Sequence, residues 1–150
     1  MRPEITAVFG GLFGILAVIA VVLIIPRFLK SLWAPLYSRF PSVNEAPKEE
    51  MKFESMTIRL KPFIYLNFAF CTALKITTQS IHIRIQFQLV KLFHSINLPW
   101  SALQSVELKY SFFGHPYALV RIHGYTLIAI FRSKPAQLIY DIWNSQKTNA

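Results

Sequence analysis

Cysteine and acidic residues are scarce in this sequence. Cys71 is the only cysteine among 150 residues, so the chain cannot form an internal disulfide, which fits a reducing cytoplasm. Seven acidic residues stand against sixteen Lys and Arg, which gives a net charge of +9. A mechanism based on paired carboxylates is not expected, because Asp141 is the only aspartate and Glu54 and Glu107 have no suitably spaced carboxylate partner.

Motifs of the common catalytic sites are missing as well. The sequence has no Gly-x-Ser-x-Gly elbow, no phosphate-binding Gly-rich loop and no His-Glu-x-x-His helix. Its histidines lie on separate predicted strands or turns and no two have metal-ligand spacing; they are His82, His94, His115 and His123. We therefore expect no enzyme, no metal site and no cofactor. An enzyme whose site is assembled only by folding is the less favoured alternative.

Most of the positive charge belongs to the C-terminal part of the chain. Residues 51–150 contain eleven Lys and Arg and three acidic residues, a net charge of +8. Zinc-finger spacing, arginine-rich tracts and a helix-turn-helix pattern are all missing, so nucleic acid is not the expected partner. Each cation near a membrane contributes about 1 kcal/mol of attraction to anionic lipid, so the membrane surface is the expected partner.

One hydrophobic run dominates the N-terminal part of the chain. Residues 5–25 read ITAVFGGLFGILAVIAVVLII, with no charge and with Thr6 as the only polar residue. A helix of this length spans roughly 31 Å, enough to cross the roughly 30 Å hydrocarbon core of a bilayer. A cleaved signal peptide would have a shorter apolar stretch and small residues before the cleavage point, whereas bulky residues follow Ile25. The run predicts an uncleaved, single-pass anchor.

The charges beside this run predict its orientation. Arg27, Lys30 and Arg39 follow it, with no acidic residue before Glu45. By the positive-inside rule, the C-terminal part of the chain lies in the cytoplasm.

Two glycines inside the run form a pattern of their own. Gly10 and Gly14 have Gly-x-x-x-Gly spacing, which lets two membrane helices approach closely and so suggests a homodimer. This spacing also occurs by chance in many apolar helices. The alternative interpretation is that the two glycines face lipid and contact no second helix.

A proline-rich segment follows the hydrophobic run. Four prolines occur in residues 26–52, namely Pro26, Pro35, Pro41 and Pro47. They are expected to break any long helix that continues from the membrane. Residues 27–40 could still form a short interfacial segment, because apolar residues recur there at helical spacing beside basic ones, at Phe28, Leu29, Leu32, Trp33 and Leu36. The predicted organisation is a transmembrane helix at 5–25, an interfacial segment and tether at 26–52, a domain at 53–145 and a polar tail at 146–150.

From Met51 onward the apolar residues recur with a period of two. In 81–89, IHIRIQFQL, odd positions are apolar and even positions are polar, which is typical of a strand with one buried face. The segment 74–77 alternates likewise and is predicted to pair with it as a hairpin. Further strands are predicted at 56–60, 106–110, 118–122 and 126–131, and either a strand or a buried helix at 63–70.

The last predicted element is an amphipathic helix. Ser133 is a suitable N-cap and Pro135 lies in the first turn. Apolar residues then recur at helical spacing, at Ala136, Ile139, Tyr140 and Trp143. The expected fold is a mainly β domain, an antiparallel barrel or sandwich closed by this C-terminal α-helix, behind an N-terminal transmembrane α-helix.

The order of these elements resembles the pleckstrin-homology-like superfamily, and within it the GRAM-like domains of small membrane-anchored proteins, chiefly bacterial ones. The resemblance covers about 73–145. It is carried by the hairpin at 74–83, the sequence LPWS at 98–101 and the closing helix. It implies that Trp100 and Trp143 are core residues and that the protein resides in the bacterial inner membrane.

The resemblance also implies a lipid-headgroup site on the first hairpin. Lipid-binding pleckstrin-homology domains often hold a phosphoinositide with basic residues of their first two strands, and Lys75, His82 and Arg84 occupy similar places here. Our hypothesis is that this face, with Lys91 and Lys109, contacts anionic phospholipid. The alternation by itself is also typical of the solvated face of any half-buried sheet, and that is the more conservative interpretation.

The sequence thus predicts a membrane-anchored binding module at the cytoplasmic membrane surface that engages anionic lipid or a protein partner. The alternative is a non-catalytic structural subunit of a larger membrane protein complex. In that case the anchor and the segment from Phe28 to Tyr37 would make the contacts.

Overall fold

The computed structural model of the chain describes residues 3–42, 51–86, 93–122, 124, 126–130 and 133–148. Its helices are α1 (Pro3–Ile19), α2 (Ile25–Arg39) and α3 (Ser133–Thr148). Its strands are β1 (Met51–Lys61), β2 (Ile64–Ile76), β3 (Ser80–Ile85), β4 (Ile96–Pro99), β5 (Leu103–Tyr110), β6 (Pro116–Ile122) and β7 (Leu127–Ile130). A π-helical segment, Ala20–Ile24, joins α1 to α2, and a 3-10 turn, Trp100–Ala102, joins β4 to β5.

Helical backbone continues from Pro3 to Arg39, since α1, the π-helical segment and α2 follow one another directly. The most apolar window in Gly10–Arg39 has a mean hydropathy of 2.7, and none of it is buried by the rest of the protein. Within the described residues, the chain therefore has one helix that is long and apolar enough to span a membrane.

Pro26 and Pro35 do not break this helix, so the prediction is wrong for these two prolines; the helix ends at Arg39, before Pro41. Pro26 lies in the first turn of α2, directly after the π-helical segment, where its fixed backbone angle suits a helix. Pro35 lies inside α2, a position that costs about 3 kcal/mol. Burial of Leu32, Trp33 and Leu36 against the β domain offsets this cost, because each large side chain contributes about 1.5–3 kcal/mol.

The seven strands form one antiparallel sheet in the order β4-β3-β2-β1-β7-β6-β5. Two series of neighbouring strands, β1 to β4 and β5 to β7, are joined by the pairing of β1 with β7, where Ile58 lies opposite Ile128. The sheet is curled into a half-barrel. The expectation of a mainly β, antiparallel domain followed by a C-terminal helix is confirmed.

Each predicted strand is found where the structure describes the chain. β3 buries its odd-numbered residues, Ile81, Ile83 and Ile85, as the alternation predicts. The ambiguous segment 63–70 belongs to strand β2 and not to a helix. Residues 87–89, the end of the strand predicted from 81, lie outside the described residues.

Glycines occur in the connections after β5 and β6. Gly114 has a φ of +77° and Gly124 a φ of +94°, a region that favours glycine because it has no side chain. The Gly114 N–H donates to the Ser111 carbonyl at 2.9 Å, which closes the turn.

The core fills the inner face of the half-barrel, between α2 and α3. α3 packs against β5 and β6 and buries Pro135, Ala136 and Ile139. Trp100 is buried in this core, and Trp143 packs against it while partly exposed. Trp100 therefore holds the core position expected of it, whereas Trp143 lies against the core and not inside it.

Candidate functional site

The second half of α2 is part of the β domain. Trp33 is 1% exposed, and its indole Nε1 donates a hydrogen bond to the His94 carbonyl at 2.9 Å. Its ring meets those of Phe68 and Phe93 edge to face, with centroids 6.0 and 5.3 Å apart. One turn later, the Tyr37 ring stacks on the His94 imidazole at 4.5 Å. The helix is therefore fixed to the domain, although the sequence pattern suggested a surface segment and a tether.

The chain stays on the domain after α2 ends. The Asn97 N–H donates to the Phe40 carbonyl at 3.1 Å, and Pro41 forms a single antiparallel bridge with Ile96 of β4. This contact covers part of an edge strand, whose open backbone groups would otherwise be free to pair with another chain. Residues 43–50, the rest of the predicted tether, lie outside the described residues.

Three of the five predicted headgroup residues lie together. Lys75 on β2 is directly opposite His82 on β3, and Arg84 follows two residues along the same face, opposite Ala73. All three predicted residues are half-buried. The His82 Nδ1 lies 3.2 Å from the Ser42 Oγ, within hydrogen-bond distance. Lys75 and Arg84 therefore supply the permanent charge of this face, while His82 contacts the segment that follows α2.

The other two predicted headgroup residues are not part of this face as described. Lys109 lies on β5, at the other edge of the sheet from β4, and its Nζ is 3.2 Å from the Glu107 Oε2. Lys91 lies outside the described residues. The sequence alone could not show that Lys109 lies far from the hairpin of β2 and β3. The order of strands in a sheet depends on which strands pair, including strands that are distant in the sequence.

A buried acidic residue is the feature that the sequence analysis missed. Glu54 on β1 is 4% exposed and lies opposite the fully buried Thr72 on β2. The Thr72 Oγ1 has no hydrogen-bond partner among the described residues. The sequence did indicate this burial. Alternate residues of a strand lie on the same face, and Glu54 alternates with Met56 and Ile58, which are buried in the core.

The strands beside Glu54 are irregular. The register of β1 against β2 shifts on both sides of Glu54, as β-bulges do. Phe70 has a φ of +55°, which is uncommon for a residue other than glycine, and its N–H donates to the Ser55 Oγ at 3.1 Å. The bulge turns the Phe70 side chain outward, where it is largely exposed.

Cys71 follows in the same bulge. Burial raises the pKa of its thiol, and a backbone hydrogen bond at the same residue opposes this more weakly. The side chain packs against the core. A raised pKa leaves less of the reactive thiolate at neutral pH, which favours a packing role for Cys71 over a reactive one.

Among the residues that the structure describes, nothing packs against the glycine pair in α1. A Cβ atom added at Gly10 or at Gly14 would meet no heavy atom within 4 Å. The Gly-x-x-x-Gly face is therefore open to lipid or to a second helix.

A cleft of about 350 Å³ opens between α2 and the sheet. One wall is the face of α2 from Ser31 to Phe40, and the other is formed by the ends of β1 and β6 and the turn before β7. Its lining includes two cations, Arg39 and Lys61, and no acidic residue among those described. The Arg39 guanidinium carbon lies 5.3 Å from the Phe40 ring centroid, a cation–π contact that helps to hold it.

Metal-binding clusters do not occur in the described part of the chain. No three His, Cys, Asp or Glu side chains there are close enough to hold one ion. The two histidines nearest α2 have other contacts, His82 with Ser42 and His94 with Tyr37.

Comparison of the chain with known protein families gives no match, and no curated protein is recognisably similar to it. Its function is therefore inferred from the fold and from the surfaces described above.

Proposed function

We propose that this is a single-pass membrane protein whose pleckstrin-homology-like domain is a non-catalytic binding module for anionic phospholipid at the cytoplasmic surface, in a bacterial inner membrane. The docking of α2 carries the proposal. A helix that leaves the bilayer and ends in the domain core, through Trp33 and Leu36, holds the domain close to the lipid headgroups.

The topology supports a pleckstrin-homology-like domain. Seven antiparallel strands curl into a half-barrel, and one C-terminal helix packs on β5 and β6. This is the arrangement that the resemblance implies. Trp100 and Trp143 lie at or against its core.

The charge of the domain supports lipid as the ligand. Residues 51–150 carry a net charge of +8, and Arg27 and Lys30 are exposed where the helix leaves the apolar run. Cations held near an anionic leaflet attract it by about 1 kcal/mol each. Fixing the domain at the surface also raises the effective lipid concentration, so each contact can be individually weak.

The proposal is tested with the full-length protein in nanodiscs that mix phosphatidylglycerol and phosphatidylcholine. Native mass spectrometry after release from the nanodisc counts the lipids of each kind that stay bound. We expect phosphatidylglycerol to be enriched over its share of the bilayer. If the hairpin face contributes, the Lys75→Glu/Arg84→Glu variant should show a smaller enrichment. Retention of both lipids in proportion to the bilayer would contradict lipid recognition.

A second candidate function is that of a structural subunit in a membrane protein complex, and one surface favours it. Phe112 and Phe113, in the turn between β5 and β6, are 98% and 82% exposed. Adjacent exposed aromatic side chains are unusual on a protein without a partner. The segment from Phe28 to Tyr37 is less suited to that role than expected, because Leu32 and Trp33 are buried in the chain's own domain.

Purification in mild detergent separates the two candidates. A subunit retains a stoichiometric protein partner that the Phe112→Ser/Phe113→Ser variant loses. A lipid-binding module purifies without such a partner, and the same substitutions leave its lipid content unchanged.

A further inference from the structure

An aromatic tip, formed by Phe112 and Phe113, ends the hairpin of β5 and β6. The two side chains are 98% and 82% exposed, and their rings meet edge to face with centroids 5.5 Å apart. Their turn is closed by the hydrogen bond from the Gly114 N–H to the Ser111 carbonyl. Neither ring belongs to the core of its own domain. The tip is therefore an apolar surface that is held in place and has no cover, as contact sites for a partner are.

The cleft beside α2 lies at the other end of β6. It is lined by Ile122, the last residue of β6, whereas the tip precedes Pro116, the first residue of that strand. Six residues of extended strand span about 20 Å. The tip is therefore too far from its own cleft to fill it.

The tip and the cleft lie at a similar height above the membrane. The cleft contacts α2 from Ser31 to Phe40 but contacts β1 and β6 only at their ends, so α2 runs across these strands and not along them. When α1 and α2 follow the bilayer normal, β6 extends roughly parallel to the membrane. By the rise of a helix, the cleft lies about 9 to 23 Å beyond Ile25, the end of the apolar run. At that height the tip faces neighbouring proteins and not the hydrocarbon core.

The cleft complements the tip in size and in polarity. Its volume is about 350 Å³, and since a cavity of about 150 Å³ is enough to hold a benzene molecule, it has room for both phenyl rings. Leu36, Leu60 and Ile122 contribute an apolar lining. Arg39 and Lys61 add two cations, which are attracted to the faces of aromatic rings.

The tip brings no opposing charge to this positive cleft. Its turn, 111–115, contains no Lys, Arg, Asp or Glu. The nearest cation along the chain, Lys109, is paired with Glu107 at 3.2 Å. Two domains with a net charge of +8 each repel one another over much of their surfaces, but little at this contact.

We propose that the aromatic tip of one copy inserts into the cleft beside α2 of a neighbouring copy in the same membrane, so that the protein self-associates head to tail. A phenylalanine side chain buries about 150–250 Å², so the two rings bury about 300–500 Å², less than the roughly 800 Å² per partner of a stable interface. The contact is therefore weak between free domains, and confinement of both copies to one bilayer strengthens it by raising their effective concentration.

The proposed contact joins two different surfaces. Each association leaves one tip and one cleft unoccupied, so further copies add until the series closes into a ring, or it continues along the membrane. The inference goes beyond the proposed function and does not depend on lipid recognition, because it requires only that α1 spans the bilayer.

Crosslinking between two single-cysteine variants of the full-length protein tests this arrangement. In a Cys71→Ser background, His115→Cys marks the side of the tip and Ser31→Cys marks the end of the cleft nearest the membrane; both positions are exposed. The two variants carry different tags, are reconstituted together at low density in phosphatidylcholine vesicles, and are treated with a short bismaleimide. We expect crosslinks between the two variants to exceed severalfold those between copies of the same variant, because the contact is head to tail.

Substitution of the tip checks that these crosslinks depend on the aromatic rings. Phe112→Ser/Phe113→Ser, made in the His115→Cys copy, should reduce the crosslinks severalfold without disturbing the core, because both rings are exposed. Phe70→Ser in the same copy is the matched control. Phe70 is also largely exposed but lies on β2, away from the tip, so its substitution should leave the crosslinks unchanged.

Substitution of the cleft checks the other surface. Arg39→Gln/Lys61→Gln, made in the Ser31→Cys copy, removes the two cations that contact the rings. We expect it to reduce the crosslinks about two- to fivefold for each cation, as the loss of an exposed cation–π contact does.

Three results would overturn the head-to-tail contact. The first is crosslinking of each variant with itself that equals crosslinking between the two, which would indicate random collision or a two-fold arrangement. The second is crosslinking that persists in Phe112→Ser/Phe113→Ser, or that Phe70→Ser reduces equally. The third is a lack of crosslinks in vesicles that contain this protein alone, which would leave the tip to a different protein. Lipid enrichment in mixed nanodiscs is a separate measurement, so either proposal can fail while the other stands.

Discussion

The indole Nε1 of Trp33 and the backbone carbonyl of His94, 61 residues apart in the sequence, are joined by a hydrogen bond of 2.9 Å. This bond connects α2 to the segment that precedes β4. Because Trp33 is 1% exposed and also contacts Phe68 and Phe93, it is the main anchor of α2 in the domain.

We predict that Trp33→Ala destabilises the domain by about 3–5 kcal/mol, the usual cost of truncating a buried large aromatic residue. Trp33→Phe keeps most of the ring packing but loses the hydrogen bond to His94. The lost hydrogen bond should lower the free energy of unfolding by about 1 kcal/mol, in addition to the cost of the changed packing. Urea denaturation of the full-length protein in detergent micelles, followed by circular dichroism, measures both. Phe28→Ala is the matched control on the same helix, because Phe28 is 55% exposed, and its effect should stay within about 0.5 kcal/mol.

A second prediction concerns where the folded domain begins. A soluble fragment of residues 27–150 keeps Trp33, Leu36 and Phe40 and should unfold cooperatively. A fragment of 51–150 exposes the core that these side chains cover, so we expect poor dispersion of its amide signals in a proton–nitrogen NMR spectrum, or aggregation. Equal dispersion and equal thermal stability of the two fragments would show that α2 adds nothing to the fold.

The β domain was predictable because its signals are local. The alternation in 81–85 indicates which face of β3 is buried. The helical spacing of Ala136 and Ile139 indicates which face of α3 is buried. Helical spacing of apolar residues indicated an interfacial segment at 27–40. Its continuity with the apolar run and its docking in the domain were not predictable, because propensity argues against Pro35 in a helix and distant residues such as Phe68 stabilise it. Tertiary packing outweighs local propensity at this position.

The candidate site was predictable only in part, for a similar reason. Adjacent strands bring Lys75 and His82 together, which the hairpin pattern indicated. The cleft joins α2 to the ends of β1 and β6, so no short stretch of sequence contains it. Arg39 and Lys61 become neighbours of one cleft only because β1 pairs with β7 and α2 packs across the strand ends.

A third prediction concerns Gly14. Since an added Cβ there meets nothing in the chain, Gly14→Leu should leave the stability of the monomer unchanged. If α1 forms a homodimer through its glycine face, the same substitution should reduce chemical crosslinking in membranes severalfold. Leu12→Phe, which adds bulk on the opposite face of the helix, serves as the control, because Leu12 is also exposed. Crosslinking that is unaffected by Gly14→Leu would argue against a dimer on this face.

A fourth prediction follows from the raised pKa of Cys71. The pH–rate profile for alkylation of the folded protein should have its midpoint at a higher pH than the profile of the urea-unfolded chain, because burial disfavours the thiolate. Ionisation of the thiol then favours unfolding. The contribution of the buried, neutral thiol to stability is therefore present below the pKa of the thiol in the unfolded chain, and it is lost as the pH rises through the pKa of the thiol in the folded protein. Superimposable profiles would mean that the thiol is not desolvated.

The most direct test of the central claim, that the second half of α2 is docked on the β domain, is a distance measured between spin labels in nanodiscs. One pair joins Ser38 on α2 to Gln104 on β5, and the reference pair joins Thr78 to Gln104 within the domain; all three positions are exposed. In a Cys71→Ser background, we predict that pulsed electron paramagnetic resonance gives a single distance distribution for the first pair, as narrow as that of the reference pair. A broad or multimodal distribution for Ser38 and Gln104, beside a narrow reference, would contradict the docking of α2.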